Sequence, residues 1–202
     1  MTLLYAFDLI GTFAFAAYGA YIATRHEFDL FGIFVCACVS AFAGGTIRCL
    51  LLNQMPVYFE NGWYFCMVFL GIGFTILLFQ HFAKIQRLML SVDALGLVTF
   101  AFLGATAALQ AHLGIIGVLI FSVLSAVGGG VCCDLFVRDI PRIFYRDFYA
   151  TPALIVGILS FILKDHLRDA LVVDLILLSC FCLRLLAIKY RFTVWKPIAA
   201  SK

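Results

Sequence analysis

Polar positions along this chain are too sparse to mark out an amphipathic helix face or an alternating strand. They break up long apolar stretches instead. Seven such stretches stand at about 3–24, 29–54, 61–82, 88–111, 113–138, 148–164 and 170–190. Each approaches the roughly 20 residues that cross a bilayer at about 1.5 Å rise per residue. Runs such as FTILLFQHF and LVVDLILLSCFCLRLLAI are continuous rather than alternating. Backbone groups in lipid must be satisfied within their own segment, so the spans are predicted to be helices and not barrel strands. Connections are short, which leaves no room for an extramembrane domain. The pattern predicts one all-α polytopic membrane domain over 1–202.

Composition agrees and excludes much. Hydrophobic residues make up 65% of the 202 and charged residues 12%, against about 45–50% and about 25% in soluble domains. A sphere of this size cannot hide that much apolar surface from water. A globular enzyme in water, a disordered tail and a nucleic-acid binder are therefore excluded. The first span carries Asp8 where a secretory signal would carry Lys or Arg, so it is expected to be retained.

The net charge of +3 gains meaning from where the charges fall. One face, holding the N-terminus and the 2–3, 4–5 and 6–7 loops, has only Lys164 and Arg168. The other holds Arg25, Lys84, Arg87, Arg138, Arg142, Arg146, Lys189, Arg191, Lys196 and Lys202. Basic residues favour the cytoplasmic side, which predicts the N-terminus outside and the C-terminus inside. Arg138, Arg142 and Arg146, four residues apart, would collect anionic lipid headgroups if they shared a helix; inside-positive bias alone also accounts for them.

Shifted by 85 residues, the sequence matches itself without a gap. Asp8, Gly11, Phe15, Ala16, Gly19 and Ala20 fall on Asp93, Gly96, Phe100, Ala101, Gly104 and Ala105. Ser40, Ala41, Gly44 and Gly45 fall on Ser125, Ala126, Gly129 and Gly130, and Pro56, Phe59 and Tyr64 on Pro141, Phe144 and Tyr149. Repeat one covers about 3–82, repeat two about 88–164, and a seventh helix at about 170–190 stands apart. Three spans are an odd number, so the second copy must enter the membrane from the opposite side. The fold class is thus two inverted three-helix repeats plus a seventh helix, with a binding or permeation site expected near the midplane where the halves meet.

Glycine in a helix costs about 1 kcal/mol relative to alanine, and adjacent glycines favour kinks. Close helix packing explains Gly11, Gly19, Gly96 and Gly104. At Gly44-Gly45 and Gly129-Gly130 polar groups follow within a turn, so a kink is expected there, turning carbonyls toward a wet cavity where they replace part of a cation's hydration shell. Thr46, Ser40 and Ser125 would line the same place, or bond a backbone carbonyl. Asp8 and Asp93 would line vestibules at opposite faces, or serve only the dipole of a helix N-terminus.

Gly44-Gly45-Thr46-Ile47-Arg48 and Gly129-Gly130-Val131-Cys132-Cys133-Asp134 resemble the paired Gly-Gly-x-x-Arg-Asp motifs of the prokaryotic trimeric intracellular cation (TRIC) channel family. Related bacterial sequences carry a glycine transporter label. The resemblance extends over essentially the whole chain, including Asp93-Ala94-Leu95-Gly96 and Pro141. It implies a homotrimer in the inner membrane with a pore in each protomer, lined by kinked spans two and five and permeable to potassium and other monovalent cations such as sodium. The chain departs from the motif in a paired way. Cys49 stands where the first acid belongs, and Cys133 where the second arginine belongs. One Arg and one Asp survive, and Arg48 and Asp134 are expected either to pair across the pseudo-two-fold axis or to find separate backbone partners. Arg184, near the end of the last span, is expected to snorkel to the interface.

Cys36/Cys38 and Cys180/Cys182 are spaced i, i+2, diverge on a helix and cannot chelate one metal. His26, His81, His112 and His166 are dispersed. No metal site, cofactor or disulfide framework is expected, and the cysteines are read as small apolar residues. Phosphate-loop, His-Glu-x-x-His and Gly-x-Ser-x-Gly signatures are missing, so no enzyme is expected. The sequence points to a cation channel. The alternative is a secondary transporter of a small zwitterion such as glycine, in which Arg48 meets the carboxylate and Asp134 the amine.

Overall fold

A computed structural model of the chain describes residues 2–79, 82–144 and 148–190. Of the charges and histidines used above, Arg146, Arg191, Lys196, Lys202 and His81, with the side chain of Lys84, lie outside the described residues. Among the described residues there are seven α-helices: α1 Thr2–Arg25, α2 Leu30–Leu51, α3 Trp63–Phe79, α4 Phe82–Gln110, α5 Ile115–Phe136, α6 Thr151–Ile162 and α7 Ala170–Tyr190.

Local chemistry sets the helix ends. The Asp29 carboxylate accepts from Gly32 N–H at 2.7 Å and caps α2. Residues with positive φ stop four helices: Glu27 (57°) after α1, Asn53 (52°) after α2, His112 (56°) after α4 and Arg138 (62°) after α5. The 85-residue shift carries each stop in the first half onto one in the second. It also carries α2 onto α5 and the 3-10 turn Val57–Phe59 onto Arg142–Phe144, boundary for boundary.

Close contacts fix the direction of the halves. A Cβ added at Gly11 would lie 3.3 Å from the Phe100 ring, and one at Gly96 would lie 2.6 Å from the Phe15 ring. Phe15 and Phe100 stack, with centroids 5.1 Å apart. Likewise Gly44 abuts the Ser125 carbonyl and Gly129 abuts the Ser40 carbonyl. In both pairs of contacts one partner advances by four residues as the other retreats by four. α1 therefore crosses α4 antiparallel, and α2 crosses α5 antiparallel, which gives a two-fold axis perpendicular to the helices. The halves are inverted.

Not every span has the expected length. α4 begins six residues earlier than 88. α3 has 17 residues and α6 only 12, and α6 at about 18 Å falls short of a bilayer's roughly 30 Å. Pro152 holds the start of α6, and a 3-10 turn at Lys164–His166 follows its end. Among the described residues, five helices are long and apolar enough to cross by themselves. The short ones are tied to the inner bundle: Thr75 Oγ1 of α3 donates to Ala17 O of α1 at 2.8 Å, and Ser122 Oγ of α5 donates to Ala153 O of α6 at 2.7 Å. α7 closes over α4 and α6. Leu77, Leu171, Leu175 and Leu178 point outward and are exposed, as a surface solvated by lipid requires.

Candidate functional site: two vestibules beside a helix crossing

The glycine pairs lie where α2 and α5 cross, but they do not interrupt either helix. Both run unbroken through them, so the expected break that would free carbonyls is not present. The two members of each pair do different work. Gly44 and Gly129 let backbone touch backbone, since a Cβ on either would collide with the facing serine carbonyl. Gly45 and Gly130 face polar side chains instead: a Cβ at Gly45 would lie 4.0 Å from Arg48 Nη2, and one at Gly130 would lie 3.2 Å from both Arg142 Nη2 and Tyr149 Oη. Ser40 and Ser125 are buried in the crossing, and neither hydroxyl has a hydrogen-bond partner among the described residues. Thr46 Oγ1 donates to Phe42 O at 2.8 Å and lies 2.8 Å from Tyr58 Oη.

Polar space opens on either side of the crossing. The first vestibule, a cavity of about 30 Å³, is lined by Asp8, Thr12, Arg48, Tyr58, Tyr64 and Phe100. Tyr64 Oη donates to Asp8 Oδ2 at 2.8 Å. Arg48 stands beside this pair, and its Nη1 has no hydrogen-bond partner among the described residues. The second, about 80 Å³, is lined by Tyr18, Arg25, Gln86, Asp134, Asp139 and Arg142. One vestibule sits at the end of α2 and the other at the ends of α1 and α5, hence at opposite faces. His26 Nε2, just after α1, reaches Asp139 Oδ2, just after α5, at 3.1 Å, which places those two helix ends on one face.

Behind the second vestibule is a buried charge network that the sequence reading missed. Arg142 is 4% exposed. Its Nε donates to Asp134 Oδ2 at 3.1 Å, its backbone N–H donates to the same oxygen at 3.0 Å, and its Nη1 donates to Asp93 Oδ1 at 3.4 Å. Tyr149 Oη donates to Asp93 Oδ1 at 3.2 Å. The guanidinium lies 4.2 Å from the Tyr18 ring centroid, a favourable place for a desolvated cation. Asp134 therefore takes Arg142, and no ion pair joins it to Arg48 among the described residues. Arg48 and Asp134 belong to vestibules at opposite faces, which explains why they do not meet.

Under the 85-residue shift, Asp8 and Tyr64 fall on Asp93 and Tyr149, while Arg48 falls on Cys133 and Val57 on Arg142. Each half thus keeps an Asp, a Tyr and an Arg, but the origin of the guanidinium differs, and the second half has a further carboxylate, Asp134, where the first has Cys49. Half one draws it from inside α2; half two draws it from the turn after Pro141. One signal for this was legible: two intramembrane carboxylates, Asp93 and Asp134, needed a cation, and Arg142 followed the conspicuous proline.

Three further expectations change. Asp93 lies eleven residues into α4, too deep for the helix-terminus dipole, which fades within a turn. Arg138 and Arg142 share no helix face, because α5 ends at Phe136 and Arg142 turns inward, while Arg146 lies outside the described residues. Arg184 does not snorkel: it is buried, donates from Nη1 to Phe148 O at 2.9 Å and lies 4.8 Å from the Tyr149 ring centroid.

Comparison with known proteins supports the same architecture. A family described as glycine transporter matches residues 5–80 and 90–165, the two repeats in turn. A UPF0126 membrane protein of Deinococcus radiodurans is 38% identical over 149 residues, covering 72% of this chain and 69% of its own length. The UPF0126 inner membrane protein YadS of Escherichia coli is 34% identical over 158 residues, covering 77% and 76%. Among solved structures, a prokaryotic TRIC channel in 0.5 M KCl superimposes with a TM-score of 0.85 at 31% identity, over 96% of this chain and 99% of that one. The TRIC trimeric intracellular cation channel orthologue from Rhodobacter sphaeroides gives 0.83 at 29%, over 95% and 100%. With both repeats matched by one family, these relatives across most of the sequence and the inverted seven-helix fold shared throughout, the chain belongs to the UPF0126 membrane-protein family, the prokaryotic branch of the TRIC cation channels.

Proposed function

We propose that this multi-pass membrane protein is a passive cation channel, permeable to potassium, with one pathway in each protomer. What supports it is a pair of polar cavities at opposite ends of the helix bundle, one holding Asp8, Tyr64 and Arg48 and the other Tyr18, Asp134 and Arg142, with a thin apolar layer between them. From Thr12, at the first vestibule, to Tyr18, at the second, α1 advances six residues, about 9 Å. The stacked Phe15 and Phe100 fill that interval and are nearly inaccessible. Carboxylates at each mouth attract cations, and a short apolar constriction holds the path shut until it is wetted. The ions pass beside the α2/α5 crossing rather than through it, because the backbones touch there. The related channels of known structure, described as cation channels and as trimeric, support the ion class and a homotrimer. The inner-membrane relative supports that location.

Glycine transport is less well supported. The zwitterion reading needs Asp134 free for an amine, and Arg142 occupies it from both backbone and side chain. Purified protein in a planar bilayer under a potassium gradient tests the proposal. Unitary current steps reversing at the potassium equilibrium potential are expected; saturable uptake of labelled glycine without steps would overturn it.

A further inference from the structure

The α2/α5 contact has a register. Gly44 faces Ser125 and, one turn earlier on α2, Ser40 faces Gly129. One further turn along the same ladder brings Cys36 opposite Cys133. Both side chains are buried in the same core cluster, 1% and 0% exposed, so the register of the crossing turns the two thiols toward each other. Cys133 occupies the place that Arg48 holds in the first half and immediately precedes Asp134 of the second vestibule.

We propose that Cys36 and Cys133 form a dithiol–disulfide site which, when oxidised, staples α2 to α5 and holds the channel shut. A disulfide needs Cα atoms roughly 4.4–6.8 Å apart, an approach that the glycine contacts one turn away promote. Ser and Gly at the neighbouring rungs leave no bulky side chain to hold the helices apart. Burial shields the sulfurs from large reagents, so the oxidant is a small peroxide, able to enter by the adjoining vestibule. One thiol gives up its proton and its sulfur attacks a peroxide oxygen, breaking the O–O bond; the leaving hydroxide takes that proton, so the products are a sulfenic acid and water. The second thiol displaces the hydroxyl as another water and forms the S–S bond. In balance, two thiols and one hydrogen peroxide give one disulfide and two waters. With the C-terminus inside, the pair lies in the cytoplasmic half, where reducing thiols keep it open and oxidation is transient.

The site stands independently of the channel proposal, while its effect on current rests on it. Full-length protein in lipid nanodiscs is treated with hydrogen peroxide, blocked with N-ethylmaleimide, digested and mapped by mass spectrometry. A peptide joining the Cys36 and Cys133 segments is expected, lighter by two hydrogens than its parts and separated by dithiothreitol. In bilayers the same treatment lowers open probability by about tenfold, reversibly, and leaves Cys36→Ala and Cys133→Ala channels unaffected. Recovery of Cys36 alkylated or linked to another cysteine overturns the site, with no variant required. A linked peptide with unchanged currents overturns the latch. Absence of current in the reduced protein counts against the channel, while the peptide map still decides the disulfide.

Discussion

At the scale of single residues, the two arginines of the motif region differ in what depends on them. Arg142 neutralises two buried carboxylates and also donates its backbone N–H to one of them. Arg48 is half-buried beside Asp8, whose oxygen already accepts from Tyr64. Removing one member of a buried ion pair costs about 3–5 kcal/mol because the partner's charge remains, whereas part-exposed pairs contribute about 0–1 kcal/mol. Arg142→Gln is therefore expected to lower the thermal unfolding temperature in detergent clearly, and Arg48→Gln to leave it nearly unchanged. Equal effects would mean that the asymmetry described here is not energetic. The asymmetry also explains what was hard to read. The gapless repeat aligns Arg142 with Val57, an apolar loop residue, so symmetry itself concealed the functional cation. Chain distance concealed it further, since Asp93 is 49 residues away. The Asp, Tyr and Gly positions were legible because both halves solve the same packing problem with the same residue.

At the scale of elements, the sequence specified seven apolar helices and their 85-residue correspondence, because hydropathy and helix stops are local properties. It did not separate the members of each glycine pair, since which face meets a neighbour depends on the crossing. Helix break and close approach call for the same residue. The structure assigns the first glycine of each pair to close approach, which yields a graded series. Gly44→Ala and Gly129→Ala place a methyl against backbone that cannot retreat like a side chain, an overpacking cost of about 1–3 kcal/mol. Gly45→Ala meets only the tip of Arg48 at 4.0 Å and should be neutral or stabilising, as expected when glycine leaves a helix. Gly73, with nothing within 4 Å, supplies the control. Unfolding temperatures should rank Gly44→Ala and Gly129→Ala together below Gly45→Ala and Gly73→Ala. A low value for Gly45→Ala would bring the kink back into consideration.

At the scale of the whole molecule, inversion ties topology to conduction. Three-helix halves related by an axis in the membrane plane present the same helix frame to both compartments, so orientation must come from the charges outside the repeat symmetry. The distribution of basic residues predicts the N-terminus outside, so green fluorescent protein fused to the C-terminus should fluoresce and alkaline phosphatase fused there should be inactive; the reverse pattern would turn the molecule over. The same symmetry makes a sharper demand on the constriction. Phe15 and Phe100 are repeat mates that stack on each other at the axis, and each packs on the glycine of the other's helix, Gly96 and Gly11. If this stack seals the path between the vestibules, Phe15→Ala and Phe100→Ala open the same gap from its two sides. Both variants should raise open probability at fixed potassium, by similar factors, with reversal potential unchanged because the carboxylates at the mouths remain. Large-to-small change in a packed core also costs about 3–5 kcal/mol, so unfolding temperature should fall in both, which separates a gating effect from simple loss of protein. A current change in only one mutant would place the barrier in a single half, and no change in either would move the pathway away from the axis altogether.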